Sequence, residues 1–335
     1  DEPEDILTLV PAFRQTPPVR LVYLQSVIAH ITGAETVVDA TNRLQDGLDI
    51  IEICGVLPVH PRPLRSLATV KKHLGLQVDD YLEKKAICTK CYKFYSPQDI
   101  QNLLSPNCSV RRCQGIVYRT KHERPDEVTG EERSKRIPAK ILTYCPLIKA
   151  IKRFLLRPTF VNNMRDTAVD KDRHPLTDDE LMQDIYDGTE WLKQEIGLKR
   201  VVEQDGSIVD VEATPGSRCS LFSCEVGLSM TINIDWFGIT DNRPHSAGAV
   251  YISFNNLHRA VRYLTQNVHL AMVIPGPKEP SLEQLNHCLE PMCTELHTIY
   301  KGLAMRIYGF RLPRQVHGCV LCENSDIPAT RKLTG

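Results

Sequence analysis

Four of the twelve cysteines fall into two close pairs, Cys88-x2-Cys91 and, sixteen residues on, Cys108-x4-Cys113. Each short pair lets two thiolates converge on one ion, and the returning chain lets the second pair complete a tetrahedron. The chemistry implied is a structural Zn²⁺ site, because four thiolates leave no open coordination position. Four buried free thiols, or a redox Cys-x2-Cys, remain open as alternatives. The metal is favoured because it alone accounts for both pairs. Lys90, Lys93, Arg111 and Arg112 decorate the site and could touch a DNA backbone. A further Cys-x2-Cys, Cys319 and Cys322, lies inside an apparent strand without a partner pair, which suits core packing. His317 beside it reads as a satisfied structural histidine rather than a ligand.

Two carboxylates form the second candidate set. Asp235 closes one apolar, alternating segment and Asp326 closes another. If their strands are neighbours, both side chains can reach one hard divalent ion, Mg²⁺ or Mn²⁺, which prefers oxygen ligands. A pair of such ions activates the attacking oxygen and stabilises the leaving one in phosphoryl transfer. The plainer alternative is an Asp in a turn at a strand end. Asp184, Asp187 and Glu190 read as a solvated face, and Trp236 and Phe237 as core more than as base-stacking groups. Pro275-Gly276-Pro277-Lys278 lacks the spacing of a phosphate-binding loop and reads as a rigid turn.

These residues depend on the elements around them. Residues 1–85 predict a helical module, with apolar residues three and four apart in LVYLQSVIAHI and ATNRLQDGLDIIEICGVL and a break at LPVHPRPL. Residues 86–118 form the zinc module. Residues 119–221 are read as a linker and helical connecting region: a polar, proline-bounded loop over 119–140, a helical stretch CPLIKAIKRFLLRPTFVNNM, and a hairpin or irregular loop at GSIVDVEATPGS.

From 222 to 335 short strands dominate. SMTINIDWF and AGAVYISF alternate as half-buried strands, and VHLAMVI is a third. A long helix follows, capped by Ser281 with Gln284 three residues on, kinked at Pro291 and ended by Gly302. MRIYGFRL and HGCVLCE read as two more strands. Three antiparallel strands, a helix and a strand returning beside the first is the order of a ribonuclease H-like fold. The expected class is therefore α+β multidomain: helical N-terminal module, small four-cysteine zinc module, and a partial ribonuclease H-like α/β domain.

Lys plus Arg equal Asp plus Glu at 41 each, so net charge alone disfavours a generic nucleic-acid binder. The charges are separated, however. Residues 111–157 carry 13 basic against 5 acidic side chains, and residues 165–212 carry 6 against 14. The first block could meet phosphates; the second reads as a solvated or self-masking surface. No apolar run approaches the roughly 20 residues that span a bilayer, so no membrane partner is expected. The opening DEPEDILTLV has no signal-peptide pattern, and clustered cysteines then point to a reducing compartment, cytosol or nucleus. Without an initiator Met, the chain reads as a fragment or processed product.

The stretch from about 226 to 335 resembles the catalytic core of CACTA (En/Spm-like) transposases of the Kyakuja–Dileera–Zisupton group. The motifs are INIDWFGI at 232–239, VHLAMVIPGPKEPSLEQLNHCLEPM at 268–292 and NSDIPATRKLTG at 324–335. The cysteine knuckle followed by MQDIYDG at 182–188 is similar to the same group. The resemblance implies that Asp235 and Asp326 are the first and second catalytic carboxylates, with a third beyond Gly335. It also implies metal-dependent cleavage and strand transfer, DNA partners at element ends and target, a nuclear location, and a second copy of the chain as a candidate partner. Gly238-Ile239 stands where that group has Asn-Pro, which puts catalytic competence in question. The competing expectation is a non-catalytic, transposase-derived, zinc-containing DNA-binding or adaptor protein. An RNA-directed nuclease on the same fold is a third.

Overall fold

The computed structural model describes residues 11–33, 35–76, 81–122, 134–166, 170, 174–177, 179–238, 246–326 and 330–331. It divides into two compact units, Asp1–Tyr81 and Leu82–Gly335. In the first, helices α1 (Pro17–Thr32), α2 (Val37–Ile53) and α3 (Leu67–His73) pack around Val19, Tyr23, Val27, Ala40, Leu44, Leu48, Leu67 and Val70. The buried positions recur at three and four residues, the period of one helix face. Thr36 caps α2 by accepting the Asp39 amide at 3.2 Å. Between α2 and α3, Pro58, Pro61 and Pro63 leave the chain without helical donors. Tyr23 from α1 takes up the Leu64 amide of that segment.

The second unit is mixed α and β. Its elements run β1 (Glu83–Ile87), β2 (Phe94–Tyr95), α4 (Pro97–Asn102), β3 (Tyr118–His122), β4 (Ser134–Pro138), β5 (Ile141–Tyr144) and α5 (Leu147–Leu155). They continue with β6 (Glu195–Ile196), β7 (Leu198–Val202), β8 (Ile208–Glu212), β9 (Cys219–Ser220), β10 (Val226–Gly238), β11 (Ser246–Phe254) and β12 (His269–Ile274). Last come α6 (Leu282–Tyr300), β13 (Leu303–Met305) and β14 (Arg314–Glu323). Among the described residues one sheet holds eight strands in the order β13-β14-β10-β11-β12-β5-β1-β2. β10, β11 and β12 are antiparallel neighbours, and β14 returns parallel to β10 after α6. β5 pairs with both β12 and β1, so the strand leading into the cysteines belongs to the same sheet. None of the described helices is long and apolar enough to cross a membrane.

Leu228, Met230, Ile232 and Ile234 of β10 point to one face, under Leu285, Cys288, Leu289, Met292 and Ile299 of α6. The Ser281–Gln284 capping box forms as expected, and the helix runs on through Pro291 to Tyr300, with Gly302 at φ +93° just beyond. The opposite face of β10 departs from the half-buried strand that the alternation predicts. Ser229 and Thr231 are also buried, because Trp191, Ile196, Leu221 and Phe222, with Cys319 and Leu321, form a second cluster on that side. Burial there is tolerated because the polar groups bond one another. Thr231 Oγ1 donates to Asn255 Oδ1 at 2.9 Å, Asn255 Nδ2 to Ser229 Oγ at 3.2 Å, and Asn256 Nδ2 to the Gly227 carbonyl at 2.9 Å.

Three further expectations need correction. The 119–140 stretch is not a plain loop: β3 and β4 pair antiparallel from Tyr118↔Pro138 to His122↔Ser134. Its polar strands are anchored by the Arg136 guanidinium, which lies 4.6 Å over the Tyr118 ring and donates to the carbonyls of Ile100, Gln101 and Leu103. MRIYGFRL contributes only Met305 to a strand, because Gly309 at φ +83° turns the chain and leaves Phe310 and Leu312 exposed. Asp184, read as solvated, has a side chain only 3% exposed, paired at 2.6 Å with that of Arg262, 4% exposed. Glu190 does lie at the surface, beside Lys193. GSIVDVEATPGS does supply a hairpin strand, β8 against β7.

Candidate metal centre and carboxylate edge

Cys88 follows directly on β1, so the sheet fixes where the first thiol sits. The Cys88 amide bonds to the Lys93 carbonyl and the Cys108 amide to the Gly115 carbonyl, folding each pair into a tight loop. Tyr92 and Arg112 take φ +64° and +65°, turning the chain after Cys91 and before Cys113. The sulfurs of Cys88, Cys91, Cys108 and Cys113 all lie within 4.8 Å of one another. Cys88 and Cys113 are 3.7 Å apart, and Cys91 and Cys108 are 3.5 Å apart. A tetrahedral Zn²⁺ with Zn–S bonds of about 2.3 Å needs sulfurs roughly 3.8 Å apart. The four thiols could therefore hold a metal ion such as zinc.

The surroundings suit thiolates. The Lys90 amide points at Cys88 Sγ and the Val110 amide at Cys108 Sγ, each at 3.4 Å and each two residues past its cysteine. The Tyr95 hydroxyl stands 3.1 Å from Cys108 Sγ. Burial raises the thiols of Cys88 and Cys91 above their ordinary range. Burial acts on Cys108 in the same sense, but hydrogen bonds from Tyr95, Val110 and Cys91 bring it down to about 7. Bound metal would deprotonate the set outright. A Cβ added to Gly115 would lie 2.2 Å from Cys88 Sγ, so the thiol's place exists only because this residue is glycine. Gly115→Ala is expected to lower zinc retention at least tenfold, read as zinc per chain after competition with a chromogenic chelator. Retention equal to wild type would refute this account of the glycine.

Three contacts tie the knuckle to the sheet. The Gln284 side chain, while capping α6, also donates to the Lys90 carbonyl. The Tyr92 hydroxyl lies 3.4 Å from the Pro275 carbonyl, and Lys140 Nζ sits 3.8 Å over the Tyr92 ring and donates to its hydroxyl. These pairs span up to 194 residues of sequence, and nothing in the local pattern announces them.

Asp235 lies near the end of β10, opposite Ala249 of β11, and is exposed. On its other side β14 runs parallel, with Thr231↔Cys322 and Ile232↔Glu323 in register. The pairing continues past the strand's last residue: the Asn324 amide bonds to the Ile232 carbonyl at 2.8 Å and the Ile234 amide to Ser325 Oγ at 2.9 Å. The ladder ends there: the Asn324 carbonyl accepts from the Asn233 side chain, not from the Ile234 amide, so Asp326, also exposed, does not close β14 as expected but lies three residues beyond its last residue, Glu323. The described residues place no third His, Cys, Asp or Glu with this pair in a ligand cluster; the four cysteines are the one group of three or more.

Family models, curated proteins and solved structures were compared with the chain, and none matches.

The remaining candidates divide between packing and exposure, and Phe237 is not the core residue expected. Cys319 lies against the Trp191 cluster with its thiol 3.3 Å from Gln194 Oε1, and Cys322 Sγ is 3.2 Å from Thr231 Oγ1. His317 Nδ1 is buried with no hydrogen-bond partner among the described residues, so this histidine is not satisfied as expected. Burial lowers its pKa, which keeps the ring neutral. Trp236 packs its ring over Gly248, where a Cβ would come within 2.4 Å, while Phe237 stays 44% exposed. The Pro275–Lys278 turn is braced where the Ser246 amide meets the Pro277 carbonyl at 3.0 Å.

Proposed function

We propose that residues 222–335 carry the first two metal-holding carboxylates of a ribonuclease H-like polynucleotidyl transferase, and that the chain is part of a cut-and-paste DNA transposase of the CACTA kind. The observation that supports this reading is the parallel return of β14 beside β10, which carries the chain toward Asp326 at the same edge of the sheet as the end of β10 that holds Asp235. Strand order, antiparallel first three strands and an intervening helix all agree with it. In the proposed chemistry the two carboxylates hold Mg²⁺ or Mn²⁺, which activates water or a 3′-hydroxyl against a phosphodiester. DNA at element ends and target would be the substrate, the nucleus the compartment, and the cysteine knuckle a structural zinc module.

The reading is tested by the ions themselves. With Fe²⁺ replacing Mg²⁺, ascorbate and peroxide should cut the backbone at two places, beside residues 235 and 326, because radicals act within a few ångströms of the bound metal. Asp235→Asn should abolish both cuts together. Cutting at one place alone, or cuts that survive Asp235→Asn, would show that the two carboxylates do not share an ion.

A second reading, a zinc-containing DNA-binding or adaptor protein without catalysis, is favoured by one observation. The only group of three or more potential ligands among the described residues is the cysteine set. It expects zinc in the protein and no cutting at either aspartate.

A further inference from the structure

Beside the knuckle, Lys90, Arg111, Arg112 and His287 line a concave pocket of about 380 Å³, together with Gln114, Gln284, Glu283 and the outer sides of Cys91 and Cys113. Lys90 is steered toward Gln114, with Nζ 3.1 Å from Oε1. Arg111 and Arg112 are exposed, and neither guanidinium meets a carboxylate or a thiol among the described residues. Their neighbour Glu283 accepts from Ser281 Oγ at 2.7 Å, an anion at the rim that belongs to the cap of α6.

We propose that this pocket grips the phosphodiester backbone of a nucleic acid, with Arg111 and Arg112 as the main contacts and Lys90 and His287 beside them. The inference deepens the transposase reading by assigning the knuckle a partner, and it rests on that reading for the nucleic acid's being substrate.

Two observations point to a phosphate ligand. Arg111 and Arg112 set two adjacent, exposed guanidinium forks on the lining of the pocket, and planar forks match the paired oxygens of a phosphate. Further along the same basic block, Lys121 and Lys135 face each other directly across the β3–β4 hairpin that leaves the knuckle. Like charges in that position repel unless an anion lies over them.

The competing role for these cations is to balance a doubly negative zinc–tetrathiolate. Part of that charge is met from within, since the Lys90 and Val110 amides point at Cys88 and Cys108.

The test uses the full chain, zinc-loaded, with fluorescent 20-mers of duplex DNA, single-stranded DNA and duplex RNA titrated at several salt concentrations. Wild type should bind, and the tightest arm identifies which nucleic acid supplies the backbone. Arg111→Glu with Arg112→Glu should weaken binding at least tenfold on every sequence and reduce the salt slope by roughly two, as expected for two lost phosphate contacts. Zinc per chain should stay at the wild-type value. No binding by wild type, or unchanged affinity and slope in the variant, would overturn the proposal. So would loss of zinc in the variant and in Arg111→Gln with Arg112→Gln, which would assign the cations to thiolate charge balance. Iron-directed cutting beside residues 235 and 326 should be the same in the Arg111→Glu, Arg112→Glu variant as in wild type, so failure of the nuclease reading and failure of this one are separable.

Discussion

Cys108→Ser is expected to abolish zinc binding by the four-cysteine set and the ordered state of residues 88–117, while the sheet around β10 stays folded. Structural zinc contributes about 10 kcal/mol or more to the folding of small zinc-binding peptides. The knuckle has little else: its own core is Ala86, Cys88, Tyr95, Ile100, Cys108, Val117 and Tyr118, and two of those are candidate ligands. β1 and β5 are held differently, because β5 ladders to both β1 and β12 and Ile87, Leu142 and Tyr144 belong to the large core. Hydrogen exchange should therefore rise by orders of magnitude at the amides of Cys88, Thr89 and Cys108 and remain slow at Leu228–Ile234. Zinc measured by mass spectrometry should fall from one per chain to near zero. Full protection of those amides in a metal-free variant would mean that the knuckle folds on its hydrogen bonds alone.

The second large effect lies away from either site. Asp184→Ala is expected to destabilise the 82–335 unit by about 3–5 kcal/mol, the usual result of stranding one member of a buried ion pair. The Arg262 side chain left behind is 4% exposed and, among the described residues, keeps as hydrogen-bond partners the carbonyls of Leu257 and Asn255, each at 3.1 Å. Asp184 also accepts the amides of Ile185 at 2.7 Å and Arg259 at 3.1 Å, so its loss frees the segment from 183 to 188 as well. Replacing both partners, Asp184→Leu with Arg262→Met, should recover most of the loss, because two uncharged side chains need no compensation. Urea unfolding followed by tryptophan fluorescence is a suitable reading, since Trp191 lies in the cluster beside that segment. A loss under 1 kcal/mol for Asp184→Ala would show that water reaches Arg262.

Several elements were legible because their signals are local. The helices at Pro17–Thr32, Val37–Ile53 and Leu282–Tyr300 announce themselves by apolar residues at a 3.6-residue period, and the last by a cap written as Ser281 and Gln284. β10, β11 and β12 show the alternation of strands. The cysteine cluster was legible from spacing alone, because two short loops suffice to gather four thiols. The β3–β4 hairpin was not: its strands are nearly all polar, and its anchor is an arginine stacked on Tyr118, a contact across 18 residues that composition hides. The acidic block misled for a related reason. Asp170 and Asp184 look like their solvated neighbours, but Arg165 and Arg262 meet them in the interior.

The sequence by itself determined where the long helices and the strands β10, β11 and β12 form, and which four cysteines gather. Those properties follow from hydrogen bonds and side-chain periods acting within a few residues. The tertiary structure decided that β14 lies parallel beside β10, that β5 joins the knuckle's strand to the same sheet, and which charged groups are buried. Each of those rests on contacts between segments some 60 to 190 residues apart, whose free energy depends on burial that no local pattern encodes.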